Sequence, residues 1–188
     1  MQPAMANPTI TPHDAFVAMD GDASLHAATV RIVVDPLTGP EIAALLQEHL
    51  DEMYRLSPPE SVHALDLDRL RAPDITFWSA WDGDGLLGCG ALRELDPAHG
   101  EVKSMRTAAR ARRRGVAAAL LSRVVEEARR RGYRRLSLET GSQPAYVPAR
   151  ALYARAGFRP CAPFADYVED PCSTSMTLAL QGPSEETR

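Results

Sequence analysis

Residues 106–118 read Arg-Thr-Ala-Ala-Arg-Ala-Arg-Arg-Arg-Gly-Val-Ala-Ala, and the chain's clearest chemistry lies there. The stretch runs straight into a regularly spaced apolar segment, so it marks the start of a helix. The first N–H groups of a helix have no partner inside it; together with the helix dipole they attract anions. Gly115 removes the Cβ that would hold a phosphate off the backbone. Ala117 and Ala118 keep the first turn thin, and Arg112, Arg113 and Arg114 add charge-assisted contacts. Val116 is the first apolar anchor of the helix. Such a turn can hold a pyrophosphate without a metal; the plain alternative is a basic, solvated helix start. Other phosphate patterns are weak. Gly83-Asp84-Gly85-Leu86-Leu87-Gly88 fits G-x-G-x-x-G formally, but strand-like sequence follows where a dinucleotide site needs a helix, so it reads as a hairpin turn. No G-K-[ST] occurs. Cys89, between two glycines of a core strand, reads as a packed, inert thiol.

These residues need elements to hold them. Val116, Leu120, Val124 and Ala128 recur every fourth residue, and Leu121 and Val125 widen the stripe, which predicts an amphipathic helix. Gly132 ends it as a left-handed cap, and Arg123–Glu127 and Glu126–Arg130 are expected as ion pairs on its wet face. Upstream, TVRIVVD from Thr29 reads as a strand. Pro40, then Ile42, Leu45, Leu46, Leu50 and Met53, predict a helix over 40–55 stopped by Ser57-Pro58-Pro59. LDLDRL suggests a short helix. ITFWSAW and LLGCGALREL are strands joined by the turn at 82–85, and GEVKSMRT is another. Downstream come the strand RRLSLET, a short helix over 146–156 closed by Gly157, and the last strands, drawn from Phe164, Tyr167 and STSMTLAL. The order β-α-α-β-β-β-α-β-α-β-β predicts an α/β fold: a central mixed sheet with helices on both faces.

With the elements in place, two landmarks resemble a known family. Arg112-Arg113-Arg114-Gly115-Val116-Ala117 resembles the Q/R-x-x-G-x-G/A signature of the GNAT N-acetyltransferases. Leu152-Tyr153-Ala154-Arg155-Ala156-Gly157-Phe158 resembles their second motif, L-Y-x-x-x-G-F. One helix and one strand separate the two, as in that family, and the resemblance covers about residues 29–180. The segments SPPESVHAL, GEVKSMRT, LETG and PFADYVEDP are similar to a bacterial YsnE-like subgroup.

The resemblance implies the acyl-CoA N-acyltransferase fold and acetyl-CoA as cosubstrate, with no metal. The cofactor would lie in a V-shaped gap between the strands of Val102–Thr107 and Leu136–Thr140. A bulge near Ser104 would open that gap. Met105, Arg106 and Thr107 would offer backbone to the pantetheine arm, and an N–H near Met105 would face the thioester oxygen. A neutral amine attacks the thioester directly. Tyr153, a phenol of ordinary pKa near 10, matches the tyrosine that protonates the leaving thiolate. Glu101 is the first candidate for general base and Glu139 the second. Glu60 and His63 lie in the segment resembling the acceptor wall. Lys103, apart from the resemblance, reads either as a holder of an acidic group of the substrate or as an ordinary strand lysine. Many members carry an Asn early in the last helix. Here the stretch is Tyr146-Val147-Pro148-Ala149, so contact with the cofactor near Ala149 would fall to backbone or to water.

The bulk numbers fit one domain. The chain has 188 residues and a formal net charge of -4. Residues 29–181 are expected to form the transferase domain, with flexible tails at 1–28 and 182–188. Two arginine clusters, 106–114 and 129–135, give local basic spots, but the overall charge and the lack of interleaved aromatics argue against nucleic acid as a partner. No apolar run approaches a membrane span, and the three cysteines at 89, 161 and 172 give neither a disulfide framework nor a zinc spacing. The default is a cytoplasmic enzyme acting on acetyl-CoA and a small amine, with a homodimer left open. The alternatives are a non-catalytic acyl-CoA sensor and a protein lysine or N-terminal acetyltransferase.

Overall fold

The structure, a computed structural model, describes residues 30–180. The expected tails at 1–28 and 182–188, with Thr29 and residue 181, lie outside the described residues. The elements are β1 (Arg31–Val34), α1 (Pro40–Leu56), α2 (Leu67–Leu70), β2 (Ile75–Asp82), β3 (Gly85–Asp96), β4 (His99–Thr107), α3 (Val116–Arg130), β5 (Arg135–Gly141), α4 (Val147–Arg155), β6 (Arg159–Pro160) and β7 (Ser173–Ala179). This is the order that periodicity predicts. Among the described residues no helix is long and apolar enough to cross a membrane.

The strands form one sheet in the order β1-β2-β3-β4-β5-β7-β6. Every neighbouring pair is antiparallel except β4 and β5. Residues 82–85 close the β2–β3 hairpin with Asp82 opposite Gly85. Helices cover both faces. A Cβ at Gly88 would meet Val116 and Leu120 of α3, whereas the next residue, Cys89, stands opposite Arg106, whose side chain pairs with Glu52 of α1. Successive strand residues project to opposite faces, so α1 and α3 lie on opposite sides.

The α3 stripe is buried throughout: Val116, Leu120, Leu121, Val124, Val125 and Ala128. Its C-terminus turns at Gly132 (φ 78°), with the Tyr133 N–H donating to Ala128 O (3.0 Å) and the Gly132 N–H to Arg129 O (2.9 Å). This is a Schellman motif. The same motif closes α4 at Gly157, where the Phe158 N–H donates to Tyr153 O (3.0 Å).

Two local expectations need correcting. Glu127 is buried, not on the wet face. It accepts from Arg130 (2.7 and 2.9 Å) and Arg131 (2.9 Å), with Arg123 farther off at 3.9 Å. Arg130 therefore pairs one turn back with Glu127, and Glu126 accepts from Ser122 instead (3.3 Å). Phe164 and Tyr167 lie in the 161–172 loop between β6 and β7, not in a strand. Their rings pack against each other in a tilted arrangement, centroids 5.0 Å apart, with no strand ladder between them.

The parallel pair is short. His99, Gly100 and Glu101 pair with Arg135, Leu136 and Ser137. A buried polar chain stitches this apex: His99 Nε2 meets Ser137 Oγ at 2.8 Å, and Ser137 Oγ donates to Thr177 Oγ1 at 3.1 Å. Gly100 is packed so closely that a Cβ there would come within 2.8 Å of Leu92 and the Tyr133 ring. Gly100→Ala is therefore expected to destabilise the fold by about 1–3 kcal/mol through overpacking, measured by urea unfolding.

Candidate active site

Past Glu101 no ladder joins β4 to β5, although β5 stays paired with β7 as far as Gly141. On its other edge β4 follows β3 through a bulge. Cys89 faces Arg106 and Ala91 faces Lys103, so Ser104 and Met105 together stand opposite Gly90. Ser104 takes a left-handed φ of 52°, as the extra residue of a bulge can. The Cys89 thiol donates to Ser104 O (3.3 Å). That thiol is fully buried, and burial pushes its pKa up to about 12. It is inert and helps to hold the bulge.

The strands part around a cleft. Val102, Lys103, Ser104 and Met105 line it from β4, and Glu139, Thr140 and Gly141 from β5. His49 and Met53 of α1, with Ser61, His63 and Ala64 beyond it, form another wall. Tyr146, Ala149 and Tyr153 around α4 and Cys172 of the last loop complete it. Expected positions Met105, Ala149, Tyr153, Glu139, His63 and Lys103 thus meet in one space. Glu101, Glu60 and Thr107 do not line it. Glu60 is exposed on the short 3-10 turn at Pro59–Ser61. Thr107 stands opposite Gly88 at the end of β4.

Glu101 is 1% exposed and already occupied. Its Oε1 accepts from Lys103 Nζ (3.0 Å) and from Tyr167 OH (2.6 Å), and Arg93 Nη1 lies 3.6 Å from Oε2. Glu139 is the carboxylate on the cleft wall. Burial raises its pKa, tempered by a hydrogen bond from Ser173 Oγ (2.6 Å) and by the charges of His63 and Lys103. Tyr153 is not an ordinary phenol: burial pushes its pKa well up, and the Glu139 charge pushes it further.

The basic turn lies at the far end of β4. A 3-10 turn at Ala109–Ala111 leads to Arg113 at φ 64° and Gly115 at φ 80°, and α3 starts at Val116 with no side chain capping it. A Cβ on Gly115 would meet no atom of the described residues within 4 Å. The left-handed backbone there favours glycine, and the described residues leave the space in front of it open. Arg112, Arg113 and Arg114 are exposed. Arg114 is drawn to Asp82 (3.0 Å), and Arg112 lies 3.9 Å from Glu52. Arg106 turns its side chain to Glu52, whose pKa is lowered chiefly by that contact. Ala117 is half-buried and Ala118 exposed.

Sequence reasoning missed two residues. His49 extends the apolar stripe of α1 four positions after Leu45, and a histidine on such a stripe was the available signal. Its Nδ1 is sealed from solvent without a hydrogen-bond partner among the described residues. Burial, then the Arg106 charge, lower its pKa to about 4. Tyr167 reads from the sequence as a strand residue within the PFADYVEDP segment, and nothing local in that loop points to its contacts with Glu101 and Lys103.

An unpaired parallel-strand edge that leads to a bare helix N-terminus defines the class: an acyl-CoA N-acyltransferase fold. The chain matches the Acetyltransferase (GNAT) family profile over residues 42–158 and belongs to that family. It is 58% identical over 151 residues to the uncharacterized N-acetyltransferase YsnE of Bacillus subtilis, covering 80% of this chain and 100% of that one. The crystal structure of the "putative acyl-CoA N-acyltransferase" from Klebsiella pneumoniae superposes with a TM-score of 0.66 at 27% identity, over 82% of this chain and 99% of that one. A GNAT acetyltransferase from Elizabethkingia anophelis with acetyl-CoA bound shares the fold, with a TM-score of 0.57 at 18% identity over 80% and 98% of the two chains.

The lowered His49 pKa has a pH consequence. Above the unfolded value of 6.5 both states are neutral; between 6.5 and about 4 only the unfolded chain takes the proton, so stability falls as pH falls through that window. Wild type should lose about 2 kcal/mol more than His49→Gln between pH 7.5 and 5.0, read by urea unfolding at each pH.

Proposed function

We propose that this chain is an N-acetyltransferase that moves the acetyl group of acetyl-CoA to a primary amine of a small molecule, by direct attack within a ternary complex. The observation that carries the reading is the β5-facing edge of β4 beyond Glu101, which among the described residues no strand pairs, and which runs to the start of α3, where no described side chain caps it. An extended pantetheine arm completes such an edge as a strand would. The pyrophosphate then meets the backbone amides of residues 113–118, with Arg112 and Arg113 beside it. The acetyl-CoA bound to the Elizabethkingia protein supports the same ligand here.

Chemistry follows from the cleft walls. The amine nitrogen forms its bond to the thioester carbon, and the developing oxyanion is met by a backbone N–H near Met105 at the bulge. Glu139 takes the amine proton. Its raised pKa makes it a better base than an exposed carboxylate, while Glu101 is engaged by Lys103 and Tyr167. The carbon–sulfur bond then breaks, and the thiolate takes the Tyr153 proton. Burial keeps that phenol protonated in the resting site. Once Glu139 has accepted a proton its charge is gone and the smaller of the two causes raising the phenol pKa disappears; burial, the larger cause, remains, so Tyr153 is a somewhat stronger acid than in the resting site when the thiolate forms.

Calorimetry should detect coenzyme A binding to the wild type, and Gly115→Ala should weaken it at least tenfold, because an alanine in the left-handed region costs about 1–2 kcal/mol and pulls the turn out of shape. Binding that ignores this change removes the phosphate site from Gly115.

Thiol release across an amine panel tests the transfer. Tyr153→Phe should lower kcat ten- to a hundredfold with the KM for acetyl-CoA within about twofold. Glu139→Gln should lower kcat/KM for the amine and abolish the acidic limb of its pH profile, which lies above the usual carboxylate range. Binding of coenzyme A with no release for any amine favours an acyl-CoA sensor.

A further inference from the structure

Lys103 is the one lysine on the cleft wall among the described residues. A wall built only to hold a cationic amine gains nothing from a lysine, since like charges repel in a partly dry site. Yet Lys103 lines the cleft with a side chain only 9% exposed, and its ammonium is held from two sides. It donates to Glu101 Oε1 at 3.0 Å and to the Tyr167 hydroxyl at 2.6 Å. An ammonium has three N–H donors, so one is left over.

The charges around it do not cancel. Glu101 is shared with Arg93, which also reaches Asp74 (3.2 Å), and Asp74 in turn meets Arg69 (3.5 Å). In this connected chain three cations meet two carboxylates, and Lys103 is the cation at the cleft. The opposite wall carries Glu139, whose ionisation responds to Lys103 and His63. One strand of the V thus presents a positive group and the other a negative one.

Tyr167 sets the position of that ammonium. Its ring is braced edge-on against His63 (centroids 5.1 Å apart) and tilted against Phe164 (5.0 Å). Its hydroxyl donates to Glu101 (2.6 Å) while accepting from Lys103, and the ammonium also lies 5.3 Å from the ring centroid. Burying paired charges contributes little to stability. Holding one of them at a fixed point on a cleft wall is a use that offsets the cost.

We infer that the acceptor is an amine that also carries a carboxylate, an amino-acid-like zwitterion, with its carboxylate held by Lys103 and its amine turned to Glu139, and with Tyr167 as the positioning residue for Lys103. This rests on the acetyl-transfer reading above and narrows its substrate class.

The test uses the full-length enzyme, acetyl-CoA and thiol release. Acceptors are free α-amino acids and β-alanine, each paired with its carboxamide and with the amine lacking the carboxyl group. The carboxylate member should show at least a tenfold higher kcat/KM, carried by KM. Lys103→Met should bring the carboxylate-to-carboxamide ratio to about one, Lys103→Arg should keep part of it, and Tyr167→Phe should lower it about threefold through KM. A purely structural role would depress all members alike and leave the ratio intact. The inference is overturned if the wild type uses carboxamides or bare amines as well as carboxylates, or if Lys103→Met leaves the ratio unchanged. No release with any member overturns the transfer reading and this one together. The wild-type comparison needs no variant, so a misfolded substitution does not blunt it.

Discussion

The site depends on two parallel strands that stop pairing after three residues. Backbone N–H and C=O groups are obligatory hydrogen-bonding groups, and a strand edge left open inside a fold must find a partner. β5 keeps its antiparallel partner β7 through Gly141, so it does not follow β4. β4 keeps β3 but takes in an extra residue at Ser104–Met105, which bends it at the point where the ladder to β5 has ended. The apex is held shut by the His99–Ser137–Thr177 chain and by close packing over Gly100. Closed at one end and open at the other, the pair makes a wedge that another extended chain can fill.

Charge placement complements that backbone geometry. Glu52 draws the Arg106 side chain toward α1, which leaves the Arg106 peptide as its contribution to the open edge. The same guanidinium helps to keep His49 neutral on the cleft wall. At the other end of the cleft the 161–172 loop, braced by Phe164 on His99 at 5.7 Å, brings Tyr167 to Lys103 and Glu101. A residue from the last loop thereby orders a cation on the fourth strand. Tyr153 and Glu139 are coupled across the same space, so the protonation of one alters the acidity of the other. These groups interact because water is largely excluded from their neighbourhood; at the surface the same pairs would be screened.

Much of this was legible in the residues. The α3 stripe, the Gly132 and Gly157 stops and the 82–85 turn follow from local preferences that act within a few positions, and they yielded the element order and the mixed-sheet class. The turn at Gly115 was readable as a basic, small-residue stretch before an apolar helix, a pattern that also suits a plain solvated helix start; its left-handed backbone came only with the structure. Local pattern could not decide which carboxylate faces the cleft. Glu101 and Glu139 both sit on strands beside the gap. Glu101 is engaged by Lys103, two residues along β4, and by Tyr167, which only the packing of the 161–172 loop brings there, while Glu139 stays on the wall. Burial of Glu127, and the acidity of Tyr153 and His49, are likewise set by elements distant in the chain. Periodicity along the sequence fixes which residues share a face of an element. Desolvation and ion pairing depend on what is packed against that face, and that arises only when the sheet has closed.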